Sequence, residues 1–336
     1  MKKQTYKTKL KTFRKILEEA ETIFITTHKR PDGDALGSTL ALKIYLEKLG
    51  KQVTVHYGGA PENMYNFIPG YDQEYFRIPE KLPRDHDVSV VCDACELRRI
   101  GAEEWDAPGA GFCEIDGYFC GEKIVFLDHH ADSVAEPSRL EITDTKKAAT
   151  SEIVFDYFAE NNIEFGKDIA TCLLAGLFTD TGGFLHSNTN SYVMDAASEL
   201  MRKGAALSLI AKRICANKTV NVLNVWGRAL DRAKLNEKSR MAFSYVTQKD
   251  LEECRAKVED LSGVTNILGA AEESAYSLLL AEEEGDKLKG SLRSEEHKNC
   301  DVSKIAKLFG GGGHKLASGF ELKGKIVDKK GEMAIA

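Results

Sequence analysis

The chain has 336 residues, a length typical of about two domains. Hydrophobic residues make up 43% of it and charged residues 29%, which is typical of a globular protein with an ample core. The formal net charge of −6 argues against a protein that coats nucleic acid nonspecifically, because such a protein needs a basic surface. It leaves room for a local basic cleft that binds a short anionic substrate.

The N-terminal segment has neither the pattern of a signal peptide nor that of a membrane span. No apolar run approaches the roughly 18 residues that cross a membrane, and residues 1–5 lack the apolar core of a signal peptide. Residues 2–15 are basic and faintly amphipathic, as in a transit peptide, but Leu10, Phe13 and Leu17 favour a packed first helix. These features predict a cytoplasmic protein without membrane contact.

An apolar run at residues 23–25 is followed by a loop rich in potential metal ligands. The run is typical of a buried strand, the loop contains His28, Asp32 and Asp34, and an amphipathic helix is predicted from about residue 36. Imidazole and carboxylate ligands suit Mn²⁺, Mg²⁺ or Fe²⁺. An ordinary surface turn built from Pro, Asp and Gly is the alternative.

Three further apolar runs have the length of strands and alternate with helical segments. They are nearly continuous and rich in β-branched residues, as in a parallel sheet covered on both faces, and they lie at residues 53–55, 88–91 and 124–127. The alternation predicts an α/β fold. Asp93 follows the second run, and Asp128, His129 and His130 follow the third. Because the functional crevice of such a sheet lies at the carboxyl ends of its strands, we expect these side chains to lie beside His28.

Residues 101–122 are interpreted as an irregular, Gly-rich insertion beside this edge of the sheet, and no chemistry is assigned to them. The chain contains eight scattered cysteines, which should be reduced in the cytosol. Cys92, Cys95, Cys113 and Cys120 could form a zinc site, but their irregular spacing and the position of Cys92 in a strand disfavour it.

Helical segments are predicted over residues 150–161, 169–178 and 191–232. Asp180 lies at the end of the second segment, close to two glycines that allow close backbone approach. Strand patterns return after residue 239. We therefore predict a parallel-sheet α/β domain joined by a helical linker to a smaller α+β domain, with bounds at residues 1–215, 216–238 and 239–336.

Side chains that can bind metal are thus expected in four clusters at one edge of one sheet. They are His28, Asp32, Asp34, Asp93, Asp128, His129, His130 and Asp180. So many ligands exceed the needs of one ion and fit two ions that share a bridging carboxylate. Two cations roughly 3.5–4 Å apart clamp the attacking and leaving oxygens of phosphoryl transfer and activate a water molecule. The clusters therefore predict hydrolysis of a phosphate ester.

A glycine run in the second domain is a candidate anion-binding loop. Gly311, Gly312 and Gly313 precede His314, between a predicted helix and a predicted strand. A flexible turn is the alternative, but this context favours a nest of backbone N–H groups for an anion. Arg293 lies upstream and can hold a phosphate bidentately, although an ordinary surface arginine stays as the alternative.

The motifs resemble those of the DHH phosphoesterases. Asp128-His129-His130 is the signature of that family, and the order and spacing of the other clusters look like its remaining motifs: His28-x-x-x-Asp32-x-Asp34 the first, Asp93 the second and Asp180 the fourth. Residues 310–320 look like the phosphate-binding loop of a DHHA1 domain. The resemblance therefore spans nearly the whole chain and implies a DHH domain followed by a DHHA1 domain.

The resemblance also implies roles for individual residues. One Mn²⁺ would be held by His28, Asp32 and Asp93, and a second by Asp34, Asp93, His129 and Asp180. His130 would donate to the scissile phosphate, while Asp128 would orient a histidine from behind. Asp93 would bridge both ions and so take part in catalysis. Arg293 and residues 311–314 would bind substrate.

Within the family, the layout is similar to the bifunctional oligoribonuclease and pAp phosphatase (NrnA-like) group. It implies a two-metal phosphodiesterase that converts short single-stranded oligoribonucleotides and linear dinucleotides such as pApA to mononucleotides. Removal of phosphate from 3′-phosphoadenosine 5′-phosphate is a further expectation, and duplex is not expected as a substrate. The alternatives are a cyclic-dinucleotide phosphodiesterase and a metal-depleted nucleotide-binding protein. The substrate ranking, the native metal among Mn²⁺, Mg²⁺ and Fe²⁺, and assembly as a homodimer stay open at this point.

Overall fold

The computed structural model describes residues 5–76, 86–94, 97–100, 123–130, 140–215, 218–329 and 332–335. The insertion predicted at residues 101–122 lies outside these ranges, as do Cys95, Cys113 and Cys120 of the zinc alternative. The chain divides into two units, Met1–Asn217 and Lys218–Ala336, and each is described by itself. Across the described ranges, no helix is both long and apolar enough to cross a membrane.

The first unit is built on a five-stranded parallel sheet with the spatial order β2-β1-β3-β4-β5. The strands are β1 Thr22–Thr26, β2 Gln52–Val55, β3 Val88–Cys92, β4 Lys123–Asp128 and β5 Leu140–Thr143. β1 and β3 are buried along almost their whole length, which explains their nearly continuous apolar sequence. The predicted α/β domain with a parallel sheet is confirmed.

The helices of the first unit pack on this sheet and on one another. They are α1 Tyr6–Glu19, α2 Gly33–Lys48, α3 Thr150–Glu160, α4 Lys167–Asp180, α5 Ser191–Arg202 and α6 Leu207–Cys215. Leu10, Phe13 and Leu17 of α1 are buried, so the basic N-terminal segment is a packed helix. α4 is buried from Ile169 through Phe178, which makes it a central element of the core.

The register of the strands brings the candidate ligands to one edge of the sheet. Thr26 of β1 pairs with Val91 of β3, and Cys92 of β3 pairs with Leu127 of β4. The carboxyl ends of these three strands are therefore level with one another. Asp128 is the last residue of β4, and the loops after β1 and β3 start at the same edge. The acid and histidine clusters thus begin where the sequence predicted them.

The second unit contains a mixed six-stranded sheet with the order β10-β11-β9-β8-β7-β6, in which only β7 and β8 pair in parallel. Its strands are β6 Lys234–Asn236, β7 Met241–Val246, β8 Tyr276–Glu283, β9 Lys287–Arg293, β10 Gly312–Gly313 and β11 Ala317–Lys323. β12 Ile326–Lys329 and β13 Glu332–Ile335 form a separate hairpin. The helices are α7 Val220–Asp231, α8 Gln248–Cys254, α9 Val264–Gly269 and α10 Val302–Leu308. The smaller α+β fold is confirmed.

Helix α7 lies within the segment predicted as a linker. Its residues Val225 and Ala229 are fully buried and pack in the core of the second unit with Val246 and Leu279. The division between the units falls before this helix, at Asn217. The bounds assigned to the linker stay a prediction.

Candidate metal centre and anion-binding loop

A first group of candidate ligands forms at the carboxyl end of the sheet. Ligand atoms of His28, Asp32 and Asp93 lie within 4.8 Å of one another, and His28 Nε2 is 3.4 Å from Asp93 Oδ2. Asp32 is also the N-cap of α2, because one carboxylate oxygen accepts the N–H groups of Asp34 and Ala35, each at 3.0 Å. The cap fixes Asp32 at the start of the helix that carries Asp34.

A second group joins α2, the residues after β4 and the end of α4. Ligand atoms of Asp34, His129 and Asp180 lie within 4.8 Å of one another. His129 Nε2 is 3.1 Å from Asp180 Oδ2 and 3.6 Å from Asp93 Oδ1. Asp93 therefore lies next to both groups, as a bridging carboxylate would.

His130 belongs to the same cluster and is oriented by Asp128. Ligand atoms of Asp93, His129 and His130 lie within 4.8 Å of one another. His130 Nδ1 is 2.8 Å from Asp128 Oδ1, and the His130 backbone N–H donates to the same oxygen at 3.2 Å. Burial acts to raise the pKa of Asp128, but these bonds and the nearby histidines together lower it. The buried carboxylate thus fixes one edge of the His130 ring.

Asp34 is fully buried and held by the N-terminus of α3. The backbone N–H groups of Thr150 and Ser151 donate to its two oxygens at 2.6 and 2.8 Å, and the Thr150 hydroxyl donates to Asp93 at 3.2 Å. The positive end of the helix dipole favours a carboxylate at this position. The sequence predicted a helix that begins here but missed its role at the site, for which a Thr-Ser pair at a helix start was the only signal.

Glycines allow α2 and α4 to approach closely enough to bring their acids together. A Cβ at Gly37 would lie 2.5 Å from the Cys172 carbonyl oxygen. A Cβ at Gly176 would lie 2.7 Å from Asp34 Oδ1 and would overlap the Ser151 hydroxyl. Side chains at these positions would therefore separate the helices that carry Asp34 and Asp180. No sequence pattern pointed to either glycine.

Asn188 connects two segments of the second group. Its amide nitrogen donates to the Asp180 carbonyl at 3.1 Å and to the Ala148 carbonyl at 3.2 Å. Ala148 precedes the helix terminus that holds Asp34, so one side chain ties the supports of two candidate ligands together. No sequence pattern predicted this contact.

Asp93 has an unusual backbone conformation. Its φ is +56°, in the left-handed region that few residues other than glycine adopt. Its N–H donates to the Leu127 carbonyl at 2.8 Å, which anchors the residue to β4. Such a conformation costs on the order of 1–3 kcal/mol and is commonly found where function requires a particular side-chain direction. The direction in this case is toward both ligand groups.

Burial of several carboxylates together raises their pKa values. Burial and then the charge of Asp34 raise the pKa of Asp180 to about 8. Burial also raises the pKa values of Asp34 and Asp93, and neighbouring carboxylates add to the effect at Asp93. Burial acts to lower the pKa of His129, but the hydrogen bond to Asp180 and the surrounding charges outweigh it and raise the pKa to about 9.

These shifts show that the donor set suits divalent cations. Burial makes the ionised carboxylates unfavourable, and repulsion between neighbouring carboxylates adds to the effect. A divalent cation between them would replace this repulsion with attraction and displace their protons. Hard carboxylate oxygens with borderline imidazole nitrogens are the ligands that Mn²⁺, Mg²⁺ and Fe²⁺ prefer. The residues present therefore fit such ions.

The glycine loop, residues 310–314, lies in the second unit between α10 and β11. Gly312 and Gly313 are exposed and form the short strand β10, which pairs with Gly319 and Ser318. The N–H of Gly311 donates to the Ala306 carbonyl at 2.9 Å. The N–H of His314 donates to the Ala317 carbonyl at 2.8 Å, at the start of β11. Anion binding by the loop would thus depend on its remaining backbone N–H groups.

Arg293 ends β9 and pairs with Ala317, just after the glycine loop. Its Nη1 donates to the Leu292 carbonyl at 2.9 Å. Burial lowers the pKa of the guanidinium, and no carboxylate among the described residues forms an ion pair with it. A largely buried cation without an acidic partner in this part of the chain favours an anionic ligand.

Two segments of the chain match known families. Residues 22–177 match the DHH family, N-terminal domain, and residues 239–334 match the DHHA1 domain. The bifunctional oligoribonuclease and PAP phosphatase NrnA of Thermus thermophilus is 30% identical over 334 residues, which are 98% of this chain and 93% of that protein. The Bacillus subtilis protein of the same name is 24% identical over 302 residues, with 89% and 88% covered.

Solved structures show the same fold. A crystal structure of an exopolyphosphatase-related protein from Bacteroides fragilis matches with a TM-score of 0.84 and 27% identity, over 94% of this chain and 92% of that chain. A structure of the exonuclease RecJ bound to manganese matches with a TM-score of 0.52 and 14% identity, over 96% and 91% of the two chains. At that identity the second likeness concerns the fold alone.

The close approach at Gly176 leads to a prediction. Gly176→Ala places a methyl group against Ser151 and Asp34, so the carboxylate must move. Displacing the support of a metal ligand typically costs about 10- to 100-fold in metal affinity. Titration calorimetry with Mn²⁺ should show this loss for the second of two binding events. Gly166→Ala, at the other end of α4 and with open space around its Cβ, is the matched control. Equal Mn²⁺ affinity of both variants would show that Gly176 does not position the site.

Proposed function

The chain belongs to the DHH family and carries a DHHA1 domain, and we propose from this premise that it hydrolyses short oligoribonucleotides and linear dinucleotides such as pApA to mononucleotides. The observation that carries the proposal is the position of Asp93 beside two ligand groups that the fold builds from separate elements. Two relatives named above are oligoribonucleases and PAP phosphatases, so removal of phosphate from 3′-phosphoadenosine 5′-phosphate is proposed as a second reaction of the same site.

We assign the first ion to His28, Asp32 and Asp93 and the second to Asp34, Asp93, His129 and Asp180, with Mn²⁺ as the preferred metal. Such a pair of ions, when bound, activates water and stabilises charge on the oxygens of the scissile phosphate. The protein fixes the positions of the ligands. The N-terminus of α3 fixes Asp34, and the backbone of Asp93 directs its carboxylate to both groups.

His130 is proposed as a hydrogen-bond donor to the scissile phosphate. Asp128 Oδ1 is hydrogen-bonded to Nδ1 of His130, so Nε2 on the opposite edge of the ring faces away from Asp128. The lowered pKa of Asp128 keeps that carboxylate ionised at neutral pH, so it holds the His130 ring in place as negative charge develops on the phosphate oxygens. Asp128 therefore acts through His130 and is a positioning residue.

Arg293 and the glycine loop are proposed to bind a second phosphate of the substrate. The loop is exposed at Gly312, where nothing lies within 4 Å of an added Cβ, and the Arg293 guanidinium can hold a phosphate bidentately. A chain with a net charge of −6 offers little attraction to a long polyanion. Short single strands are therefore the proposed substrates, and duplex is not.

Removal of the metal should abolish activity. After exhaustive chelation the protein should not hydrolyse pApA, and Mn²⁺ should restore the reaction better than Ca²⁺, because Ca²⁺ prefers a larger and more flexible oxygen shell. Liquid chromatography of the nucleotide products measures the rates, and elemental analysis measures the residual metal. Full activity at nil metal content would contradict a metal-dependent mechanism.

Asp93→Asn should cost more activity than any other single ligand change. Asparagine tolerates the left-handed backbone at this position, so the fold should survive. The change removes the charge shared by both groups, and kcat on pApA should fall by much more than tenfold. Asp32→Asn, which touches the first group alone, is the matched control and should be less impaired. A loss at Asp93 of less than tenfold, worth only ~1.4 kcal/mol of barrier, would refute the bridging assignment.

Recognition and chemistry should separate by mutation. Arg293→Ala removes a charged hydrogen-bond donor, and Gly312→Val blocks the exposed loop without an internal clash. A hydrogen bond to a charged group is worth about 1.5–3 kcal/mol, so kcat/KM on pApA should fall roughly 10- to 150-fold. Hydrolysis of bis-p-nitrophenyl phosphate, which has no second phosphate, should change little.

Two further variants serve as controls for this comparison. Asp34→Ala should abolish hydrolysis of both substrates, because it removes a ligand of the second group. Lys289→Ala removes a cation from the same strand as Arg293 and should affect neither. Parallel losses on both substrates for Arg293→Ala, at unchanged Tm, would place that arginine at the reaction centre instead.

A further inference from the structure

Two large apolar side chains are exposed directly before the glycine loop. Leu308 ends α10 with 82% of its surface exposed, and Phe309 follows with 45% exposed. The other apolar residues of this helix face the core, because Val302 and Ala306 are fully buried and Ile305 is partly buried. Single exposed apolar residues are common on protein surfaces. An exposed aromatic ring adjoining a candidate phosphate loop calls for a physical explanation.

The ring of Phe309 is supported from below by Phe320. The two rings are stacked, with centroids 4.6 Å apart and planes inclined by 27°. Phe320 is 6% exposed and lies in β11. It occupies space that the missing side chains of Gly290 and Gly311 leave open, since a Cβ at either position would lie less than 3.0 Å from Phe320 atoms. The lower ring is therefore fixed, and it holds the upper ring in one plane.

The backbone also restricts Phe309. Its N–H donates to the Ala306 carbonyl at 3.0 Å, as the C-cap of α10. The next residue, Gly310, has a φ of +74° and turns the chain into the loop. A flat apolar surface thus begins one residue before the glycines. Because it is already ordered, little conformational entropy would be lost when a ligand covers it.

We propose that Phe309 is a stacking platform for a nucleobase, and that it binds the base of a nucleoside 5′-phosphate whose phosphate contacts the glycine loop. This proposal rests on the proposed function, which assigns that loop to a substrate phosphate. In a nucleotide, one ribose separates the base from its 5′-phosphate, which matches an aromatic ring beside a phosphate loop. Every nucleobase has a π-face, so the platform tolerates all sequences and favours purines by their larger area.

Through the platform, the second unit would recognise a nucleotide by stacking, which does not depend on charge. Leu308 adds apolar surface at the edge of the ring but has no π-face. Stacking of one base on an aromatic side chain is worth about a 5- to 150-fold gain in affinity. Ribose 5-phosphate carries the same phosphate without a base, so the contribution of the base is measured by comparing it with AMP.

The test measures dissociation constants of AMP and ribose 5-phosphate for the full chain loaded with Mn²⁺. Any contact of the phosphate with the metal centre is common to both ligands and cancels in the ratio of the two constants. The wild type should bind AMP at least fivefold more tightly than ribose 5-phosphate. Phe309→Leu keeps an apolar contact with Phe320 but removes the π-face, so the two ligands should then bind within about twofold of each other. Phe309→Trp should keep or increase the preference for AMP.

Two variants separate the platform from the phosphate site. Arg293→Ala should weaken AMP and ribose 5-phosphate by the same factor and so preserve the ratio. Leu308→Ala, which changes the neighbouring exposed apolar residue, should leave the ratio within about twofold of the wild type. Equal Tm values for Phe309→Leu and the wild type check the fold, and Phe309→Trp remains informative if the leucine variant is unstable.

The possible failures are distinguishable. An unchanged ratio in Phe309→Leu, with pApA still hydrolysed by the wild type, would overturn the platform and leave the proposed function standing. Binding of neither ligand by the wild type, together with no hydrolysis of pApA, would overturn both. If Phe309→Leu instead converts a dimer to a monomer in sedimentation while the ratio stays unchanged, the ring contacts a second copy of the chain and the proposal is wrong.

Discussion

The structure depends on one unfavourable interaction, the burial of several carboxylates within a few ångströms of one another. Asp34 and Asp93 are almost completely inaccessible, and the charge of Asp34 adds to the effect of burial in raising the pKa values of Asp93 and Asp180. Such a cluster is costly to bury unless the charges are compensated. The N-terminus of α3 compensates part of it through two N–H groups. The remaining cost of burying these charges favours the binding of divalent cations between them.

Close helix packing follows from this requirement. Ligands on α2 and α4 can meet only if the two helices approach more closely than ordinary side chains allow, and Gly37 and Gly176 provide that approach. A glycine within a helix costs roughly 1 kcal/mol relative to alanine. Gly176 therefore lowers the intrinsic stability of α4 but allows Asp34 to lie close to Asp180. Function and local stability are in opposition at this contact, as is common at active sites.

The candidate metal ligands could be predicted from the sequence, whereas the contacts that support them could not. The acids and histidines were predictable because parallel strands deliver their carboxyl ends to one edge, and His28, Asp93 and Asp128 follow three such strands. The supports were not predictable in the same way. Thr150 and Ser151 hold Asp34 through backbone N–H groups, which every residue except proline has. The glycine contacts and the Asn188 bridge depend on distances between segments far apart in sequence. In the second unit, the glycine pattern indicated a loop but did not show that part of its N–H groups is already used.

Charge balance explains why short substrates suit this molecule. The two ligand groups together contain the carboxylates of Asp32, Asp34, Asp93 and Asp180, whose negative charges equal the positive charges of two divalent cations. The loaded centre would therefore be close to neutral, and the chain as a whole would stay acidic. Long-range attraction for a polyanion would be weak, and it would be screened beyond about 8 Å at physiological salt. Under the proposed assignments, binding would come from contacts at short range, such as oriented donors, the Arg293 guanidinium and the ring of Phe309. Each further phosphate of a longer strand would add repulsion from the acidic chain.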